Sequence, residues 1–505
     1  MAGICRRDFL EKAATGAAAA ALPGVLAALD GCSGSARRPP NFVFILIDDM
    51  GWTDLGSYGS DLYETPNIDR LASQGMRFTN AYAASAVCSP TRASIMTGKY
   101  PARLDITDWI GGSQKGRLLP AEYQHELPLE EVTIAEAFQN AGYTTGYIGK
   151  WHLGSDGYHP EDQGFGLNIG GHDAGQPSSY FWPYRRDPDI DAYWDVPDLE
   201  DGIEGEYLTD RLTREAVRFI EDNRDHPFLL YLAHYAVHTP IQSKPELTEQ
   251  YQRKIEGMPQ LDGPDYRTEH DGWGITNLRQ DDPAYAGMVQ SVDESVGRLM
   301  DTLEEIGESD NTIIIFMSDN GGLTTYARNA GAPTAVLPLR AGKGWYYEGG
   351  IREPLIIRWP ARVKAGSVCH EPVISTDFYP TMLEMAGLPP RPDQHRDGLS
   401  LMPLLIEAGG LEREALYWHS PHYHGSGNRP GGAMRAGDWK LIEWFEDGSL
   451  ELYNLKEDIS EEHDLSAEMP GKAEEMRTML AAWRVEMDAK MPRPNPDFVL
   501  PGGTS

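Results

Sequence analysis

The strongest constraint on the fold is a set of short apolar runs that alternate with helical patterns. The run NFVFILI at 41–47 is apolar at every position after the first, which favours a strand buried on both faces. Further strands are predicted at 144–150, 227–235, 311–319 and 354–360, and helices at 133–143, 207–224, 285–307 and 375–387. This alternation predicts an α/β fold in which a large, mostly parallel β-sheet is covered by helices on both faces.

The pattern changes near residue 390, where three prolines interrupt it. ALYWHS, DWKLIEW and LELYNL are short alternating strands, and 472–491 is one amphipathic helix. A chain of 505 residues is long enough for two domains. We therefore predict a catalytic domain at 40–388 and, at 389–505, a C-terminal subdomain with a small antiparallel sheet and a helix, which contributes to the substrate cleft. The loop-rich stretch at 157–205 is expected to shape a binding site.

The first 35 residues have the features of an export signal and are not expected to belong to the folded domains. Arg6 and Arg7 precede an Ala-rich run from Ala13 to Leu29, as in a bacterial twin-arginine signal. LDGC ends at Cys32 and is similar to a lipoprotein cleavage box, although Asp30 departs from the usual small residue. The sequence thus predicts an exported bacterial protein, either periplasmic or a cell-surface lipoprotein, with the twin-arginine machinery as a transient partner. Its contact with a membrane is expected only through a lipid on Cys32.

The net charge of -33 limits the partners of the chain. It argues against nucleic acid and against an anionic membrane surface, because both would be repelled. An anionic substrate would need a local cationic pocket within this unfavourable field.

Polar residues follow the predicted strands at the edge where an open α/β sheet binds its ligands. Asp48 and Asp49 end the first strand, and Asp319 and Asn320 end a later one. Adjacent buried carboxylates repel each other unless a cation lies between them. A set of oxygen donors favours Ca²⁺ or Mg²⁺ over Zn²⁺, although DNGG by itself is also typical of a tight turn.

Cysteine is rare, and only Cys88 and Cys369 remain once the export signal is set aside. In an exported protein the default expectation is a disulfide, and a buried thiol is the alternative for Cys88. Its surroundings, SAVCSPTRASIMTGKY, place Arg92 four residues later, near the start of a helix predicted at 91–97. The helix dipole and the guanidinium would there favour an anionic nucleophile.

Several motifs together identify a family. AVCSPTRASIMTG at 86–98 resembles the sulfatase signature built on Cys-x-Pro-x-Arg, and GYTTGYIGKWHLG at 142–154 resembles the second sulfatase signature. LIDDMG, HTP, SDNGG and GKG follow in the order that the family shows. The chain from 40 to about 390 thus resembles a formylglycine-dependent sulfatase of the alkaline phosphatase superfamily.

The resemblance implies a mechanism. Cys88 would be oxidised to formylglycine (3-oxoalanine) by a formylglycine-generating enzyme, and one hydroxyl of the hydrated aldehyde would attack sulfur. The other hydroxyl would then expel sulfate after losing its proton, a step open to neither serine nor cysteine. One Ca²⁺, less often Mg²⁺, would be held by Asp48, Asp49, Asp319, Asn320 and an oxygen of the modified Cys88.

The resemblance also implies roles for the basic residues. Lys150 would stabilise the formylglycine and sulfate oxygens, and His152 would deprotonate the remaining hydroxyl. His238 and Lys343 would contact the sulfate, and either can protonate the leaving alcohol. Arg92, Lys150 and Lys343, together with the metal, would form the cationic site that the acidic chain requires.

The substrate is predicted to be a sulfated carbohydrate fragment, with a galactose or N-acetylgalactosamine type of sugar as the nearest analogy. The candidate sugar contacts are His172, His422, His424 and Arg429, together with Asp173, Tyr180 and His419. The alternative is that these are loop residues that face solvent or form local hydrogen bonds. Two other functions stay open: a phosphonate monoester or phosphodiester hydrolase of the same superfamily, and a catalytically inactive glycan-binding protein.

Overall fold

The computed structural model describes residues 38–185, 195–259, 262–269, 274–327 and 331–498. The predicted export signal, with Cys5 and Cys32, lies outside these residues. None of the described helices is both long enough and apolar enough to cross a bilayer. Residues Pro39–Ser505 form one compact unit.

The main sheet confirms the predicted α/β class. Its strands, numbered with all others in chain order, are β1 (Asn41–Ile47), β2 (Met76–Tyr82), β4 (Thr144–Gly149), β5 (Leu167–Ile169), β6 (Phe228–Ala233), β9 (Thr312–Ser318), β11 (Arg352–Arg358), β12 (Ser367–Cys369) and β13 (Val373–Ile374). They lie in the order β12-β2-β11-β9-β1-β6-β4-β5, and β13 pairs with β2. The five strands from β9 to β5 are parallel, whereas β11 runs antiparallel to both β9 and β2.

Helices cover both faces of this sheet. The α-helices of the described residues, in chain order, are α1 (Pro66–Gln74), α2 (Cys88–Thr97), α3 (Pro101–Leu104), α4 (Ile134–Asn140), α5 (Leu208–Asp222), α6 (Pro245–Gly257), α7 (Pro283–Glu305), α8 (Glu348–Ile351), α9 (Phe378–Met385), α10 (Met402–Leu405) and α11 (Pro470–Met487). Alternate residues of β1 point to opposite faces. Val43, Ile45 and Ile47 pack with α1, α5 and α7, while the even-numbered residues pack with α2, α4 and α9.

Local sequence explains where the helices begin. Asp282 caps α7 by accepting hydrogen bonds from the backbone N–H groups of Ala284 and Tyr285, and Pro283 occupies the first helical position. Thr133 and Glu136 form a capping box at α4. Helix α2 begins at Cys88 itself, three residues before the predicted start, so the cysteine lies in the first turn.

Three smaller sheets complete the fold. The C-terminal sheet contains β14 (Leu416–Ser420), β15 (Gly431–Ala436), β16 (Trp439–Trp444) and β17 (Leu450–Asn454), all antiparallel, and α11 packs on it. Strands β7 (Tyr266–Glu269), β8 (Gly274–Asn277) and β10 (Thr325–Ala327) form a second sheet, and β3 (Leu118–Leu119) pairs with β18 (Arg493–Pro494). The described cysteines, Cys88 and Cys369, are free thiols, so the default expectation of a disulfide is wrong.

Candidate active site

The polar residues predicted from the strand ends lie together at the carboxyl edge of the main sheet. Asp48 and Asp49 follow β1, Asp319 and Asn320 follow β9, and Lys150 follows β4. Gly149 makes the turn after β4 possible, because it has a positive φ of 101° and an added Cβ would lie 2.0 Å from the carbonyl oxygen of Ala233.

Two of the predicted cations are paired with carboxylates deep in this edge. The Lys150 Nζ lies 2.6 Å from Oδ2 of Asp48, and neither side chain is exposed. Arg92 donates from Nε to Oδ2 of Asp319 at 2.8 Å and from a terminal nitrogen to the carbonyl oxygen of Lys150 at 2.6 Å. The two acidic groups raise the pKa of Arg92 despite its burial, so Arg92 carries a fixed positive charge.

A second group surrounds Asp49. Lys343 Nζ lies 2.7 Å from one oxygen of Asp49, Asn320 donates to that same oxygen at 2.7 Å, and His238 Nε2 lies 3.4 Å from the other oxygen. Burial acts to raise the pKa of Asp49, but Lys343 and His238 outweigh it and hold this pKa below its usual range.

The donor set of this edge fits a hard divalent cation. Asp48, Asp49 and His238 offer ligand atoms within 4.8 Å of one another. Asp48 Oδ1 and Asn320 Oδ1 are buried and have no hydrogen-bond partner among the described residues. Burial raises the pKa of Asp48 well above its usual range, with Lys150 opposing it and Asp319 adding to it. A bound cation would satisfy both oxygens and reverse this penalty.

Cys88 lies beside a histidine whose orientation is fixed. The Sγ of Cys88 is 3.4 Å from Nδ1 of His152, and Nε2 of His152 is 3.0 Å from the carbonyl oxygen of Ile110. Because a carbonyl oxygen only accepts, the proton of a neutral His152 resides on Nε2 and the lone pair of Nδ1 faces Cys88. Burial and then Lys150 lower the pKa of His152 well below its usual value, so the ring is neutral.

A cavity of about 290 Å³ opens above Cys88. Cys88, His152, His238 and Lys343 line its inner end. We call the rest of its lining the outer wall, which consists of Trp109, Gln114, Gly175, Gln176, Thr239, Leu323, Thr325, Tyr326, His424, Gly425 and Ser426. Arg92 and Lys150 are not among the residues that line the cavity, so Lys343 is the cation it exposes among the described residues.

Of the seven candidate sugar contacts, only His424 lines this cavity. His422 is buried with Nε2 2.8 Å from Oγ1 of Thr107, and it thereby holds the loop that carries Trp109. Arg429 lies over the ring of Trp444 and near Glu446.

The remaining candidates also have structural roles. His172 accepts from the backbone N–H of His152 through its carbonyl oxygen, with Asp173 beside its ring. Tyr180 is buried and donates to the carbonyl oxygen of Tyr235, and the His419 ring bonds the carbonyl oxygen of Lys490.

Sequence reasoning missed most of the outer wall and one supporting group. Trp109, Gln176 and Tyr326 lie in loops or short strands without a motif. Asp54 holds the loop after β1, since it accepts from the N–H of Gly51 at 2.8 Å and from the hydroxyl of Tyr285 at 2.5 Å. Its place six residues after Asp48 in DDMGWTD was the available signal.

Comparisons with known proteins point to one family. The family model described as Sulfatase matches residues 40–388, and the model described as N-sulphoglucosamine sulphohydrolase, C-terminal, matches residues 341–486. The chain is 35% identical over 408 residues to N-acetylgalactosamine-6-sulfatase of Mus musculus, covering 78% of this chain and 71% of that protein. It is 32% identical to a sulfatase of Formosa agariphila, covering 92% and 94% of the two chains.

A solved structure is similar over nearly the whole chain. Ps i-CgsB in complex with k-i-k-neocarrahexaose superposes with a TM-score of 0.71 at 30% identity, covering 92% of this chain and 96% of that one.

Proposed function

We propose that this chain, which belongs to the sulfatase family of the alkaline phosphatase superfamily and is a sulfuric ester hydrolase, removes sulfate from sulfated sugars. The observation that carries the proposal is the position of Cys88. It lies in the first turn of α2 at the inner end of a cavity, with the lone pair of a neutral His152 directed at it from 3.4 Å.

We assign the nucleophile to Cys88 after its oxidation to formylglycine by a formylglycine-generating enzyme. A hydrated aldehyde carries two hydroxyls on one carbon, so one can take the sulfuryl group while loss of the proton from the other releases sulfate. His152 would accept that proton at Nδ1. The carbonyl oxygen of Ile110 keeps Nε2 of His152 protonated. The Ser89 hydroxyl accepts from the N–H of Ile110 at 3.1 Å and so holds this loop in place.

Asp48, Asp49, Asp319 and Asn320 would hold one divalent cation, which we propose to be Ca²⁺. The cation would supply positive charge and orientation for the sulfate oxygens. The fit rests on oxygen donors at the ends of two neighbouring strands and on the two buried oxygens that lack a protein partner.

Lys343 and His238 are the basic side chains that meet both the cavity and Asp49. Each can bind a sulfate oxygen or give a proton to the leaving alcohol, since each lines the same cavity as Cys88. Arg92 and Lys150 do not line the cavity. They pair with Asp319 and Asp48, respectively, and add fixed positive charge.

A sugar as the leaving group is supported by the names of the relatives and by the cavity. One relative is named N-acetylgalactosamine-6-sulfatase, and Ps i-CgsB was solved in complex with k-i-k-neocarrahexaose. The cavity of about 290 Å³ is at the small end of the range for ligand pockets, which suits one sulfated ring.

Mass spectrometry of the peptide that contains residue 88 tests the modification, because an aldehyde differs in mass from a thiol. The Cys88→Ala variant is expected to lose turnover of 4-nitrophenyl sulfate and keep its unfolding transition, whereas Cys369→Ala keeps both. An unmodified thiol in active protein would refute the assignment. A large preference for an aryl phosphonate ester over the aryl sulfate would favour the hydrolase alternative, and no sulfate release from any sulfated oligosaccharide would favour an inactive glycan-binding protein.

We also propose export by the twin-arginine route, which carries folded proteins and would let Cys88 be oxidised and the cation be bound before export. The support is the sequence around Arg6 and Arg7. Replacing both arginines by lysine should leave the protein in the cytoplasm, and metabolic labelling with a fatty acid tests whether Cys32 carries a lipid. Recovery of unmodified Cys88 from outside the cytoplasm would contradict this order of events.

A further inference from the structure

The outer wall of the cavity is electrically neutral in an otherwise strongly acidic protein. The chain has 77 acidic and 44 basic residues, yet none of the described residues of the outer wall is Asp, Glu, Lys or Arg. Hydrogen-bonding groups are present in the amide of Gln176 and the hydroxyl of Thr239, and Trp109 and Tyr326 add aromatic surface. Such a wall can hydrogen-bond hydroxyls and pack against the C–H face of a ring.

His424 is the histidine of this wall, and it too is neutral. Burial first, and then the charge of Lys343, lower the pKa of His424 to about 3. Its Nδ1 accepts from the backbone N–H of Ser426 at 3.2 Å and lies 2.9 Å from the Ser426 hydroxyl. The proton of the ring is therefore on Nε2, for which no acceptor occurs among the described residues. His424 thus offers an uncharged N–H donor at the wall of the cavity.

The segment that carries this donor is held on several sides. With the amide of Gln114 oriented to satisfy both of its groups, it donates to the carbonyl oxygen of His424 at 3.2 Å and accepts from the N–H of Gly425 at 3.0 Å. The N–H of Ala327 donates to the carbonyl oxygen of Gly425 at 3.2 Å. Gly344 permits the close approach of the His424 ring, since an added Cβ would lie 2.2 Å from Nδ1. The donor is therefore preorganised and does not have to be ordered by the substrate.

From this wall we infer that the cavity selects a sugar ring that carries one sulfate and no other charge, and that His424 is a specificity-determining residue that donates to an oxygen of that ring. The inference rests on the proposed function and concerns the ring inside the cavity, not the rest of the glycan. A second sulfate or a carboxylate on the same ring would lose water and find no cation, which is costly. The net charge of the protein adds to this penalty.

A matched set of substrates isolates the charge of the ring. N-acetylgalactosamine 4-sulfate, its 6-sulfate and its 4,6-disulfate share one ring and differ only in sulfate groups. We expect kcat/KM for the better monosulfate to exceed that for the disulfate about tenfold or more. Inhibition of 4-nitrophenyl sulfate turnover by the same sugars should rank them in the same order. Equal values for the disulfate, or a preference for it, would overturn the inference, whereas no sulfate release from any of these probes would refute the proposed function instead.

Variants of the outer wall sharpen the test. Gln176→Lys adds a cation to the wall, and it should raise the ratio of disulfate to monosulfate kcat/KM about tenfold. Gln252→Lys adds the same charge on exposed α6 and should leave this ratio unchanged, because it alters only the net charge. An equal effect of both variants would show that the wall does not read the charge of the ring.

The role of His424 is tested by removing its donor while keeping a planar ring. His424→Phe should lower kcat/KM for the monosulfated sugar more than for 4-nitrophenyl sulfate, which lacks a sugar hydroxyl. His424→Gln retains an N–H donor and should recover part of the loss on the sugar. Equal losses on both substrates in His424→Phe, or no recovery in His424→Gln, would contradict direct recognition of the ring by this donor.

Discussion

Replacing Lys440 by methionine is expected to destabilise the protein strongly, and more at pH 8 than at pH 5.5. Lys440 on β16 is wholly buried between two carboxylates, with its Nζ 2.8 Å from an oxygen of Glu348 and 2.8 Å from an oxygen of Glu461. Arg352 donates to the other oxygen of Glu348 at 2.7 Å. Lys440→Met therefore leaves Glu348 with a cation and Glu461 without one.

The magnitude follows from burial and from the pKa of Glu461. Breaking a buried ion pair on one side costs about 3–5 kcal/mol. Burial, against the pull of Lys440, raises the pKa of Glu461 from 4.5 to about 7. Because this folded pKa lies above the unfolded one, the group contributes fully to stability below about pH 4.5, and the contribution is lost as the pH rises through about 7. Without Lys440 the pKa of Glu461 rises further, so we expect the destabilisation at pH 5.5 to be smaller by about 1 kcal/mol or more.

Urea unfolding followed by tryptophan fluorescence at pH 5.5 and pH 8 measures both quantities. Lys364→Met removes a lysine whose side chain is 72% exposed and should cost about 0.5 kcal/mol or less at either pH. Adding Glu461→Gln to Lys440→Met removes the titrating group and should abolish the pH difference. A loss below about 1 kcal/mol at pH 8 would refute the assignment of a buried, charged triad. A larger loss at pH 5.5 than at pH 8 would refute the sign of the linkage.

Three further predictions concern the site and its support. Gly344→Ala should lower kcat/KM for aryl sulfate at least about tenfold, because the added Cβ would meet the His424 ring. Gly142 is the control: it has a similar positive φ of 87° and an added Cβ would have nothing within 4 Å. Gly142→Ala should therefore change only the stability seen in a thermal melt. Chelation by EDTA should lower the Tm, and added Ca²⁺ should restore it in the parent protein but not in Asp49→Asn, as seen by calorimetry. Asp293→Ala should cost about 2 kcal/mol in urea unfolding, because Asp293 accepts from two backbone N–H groups at the start of α1, at 2.9 and 2.8 Å.

The central strands were predictable because burial on both faces leaves an unmistakable apolar run. Strand β1 occupies the predicted residues Asn41–Ile47. Strand β2 was missed because its sequence, MRFTNAY, mixes polar and apolar residues, as suits a strand buried less completely. The antiparallel direction of β11 was not predictable, since the period of a strand is the same in both directions. Strand β15 was also missed. It begins GGAM, and glycines weaken the strand pattern.

In the site, the residue types at the strand ends were predictable and their partners were not. Asp48 and Asp49 are neighbours in sequence, yet one pairs with Lys150 and the other with Lys343; the backbone at Asp49 is left-handed, with a φ of 61°. His422 and His424 are two residues apart in a loop without a regular period. Nothing in the sequence separates the first, which bonds Thr107, from the second, which lines the cavity.

One short segment of the chain contacts both the catalytic core and the C-terminal sheet. Within ten residues it provides Lys343 to the cavity, Gly344 as the contact for His424, and Glu348 as the partner of buried Lys440. Loss of the C-terminal sheet would leave Glu348 without Lys440 and would remove one side of the outer wall. Because the same few residues serve both purposes, destabilising the buried triad should displace Lys343 as well. We therefore expect Lys440→Met to lower sulfatase activity through this segment, although Lys440 itself lies outside the cavity.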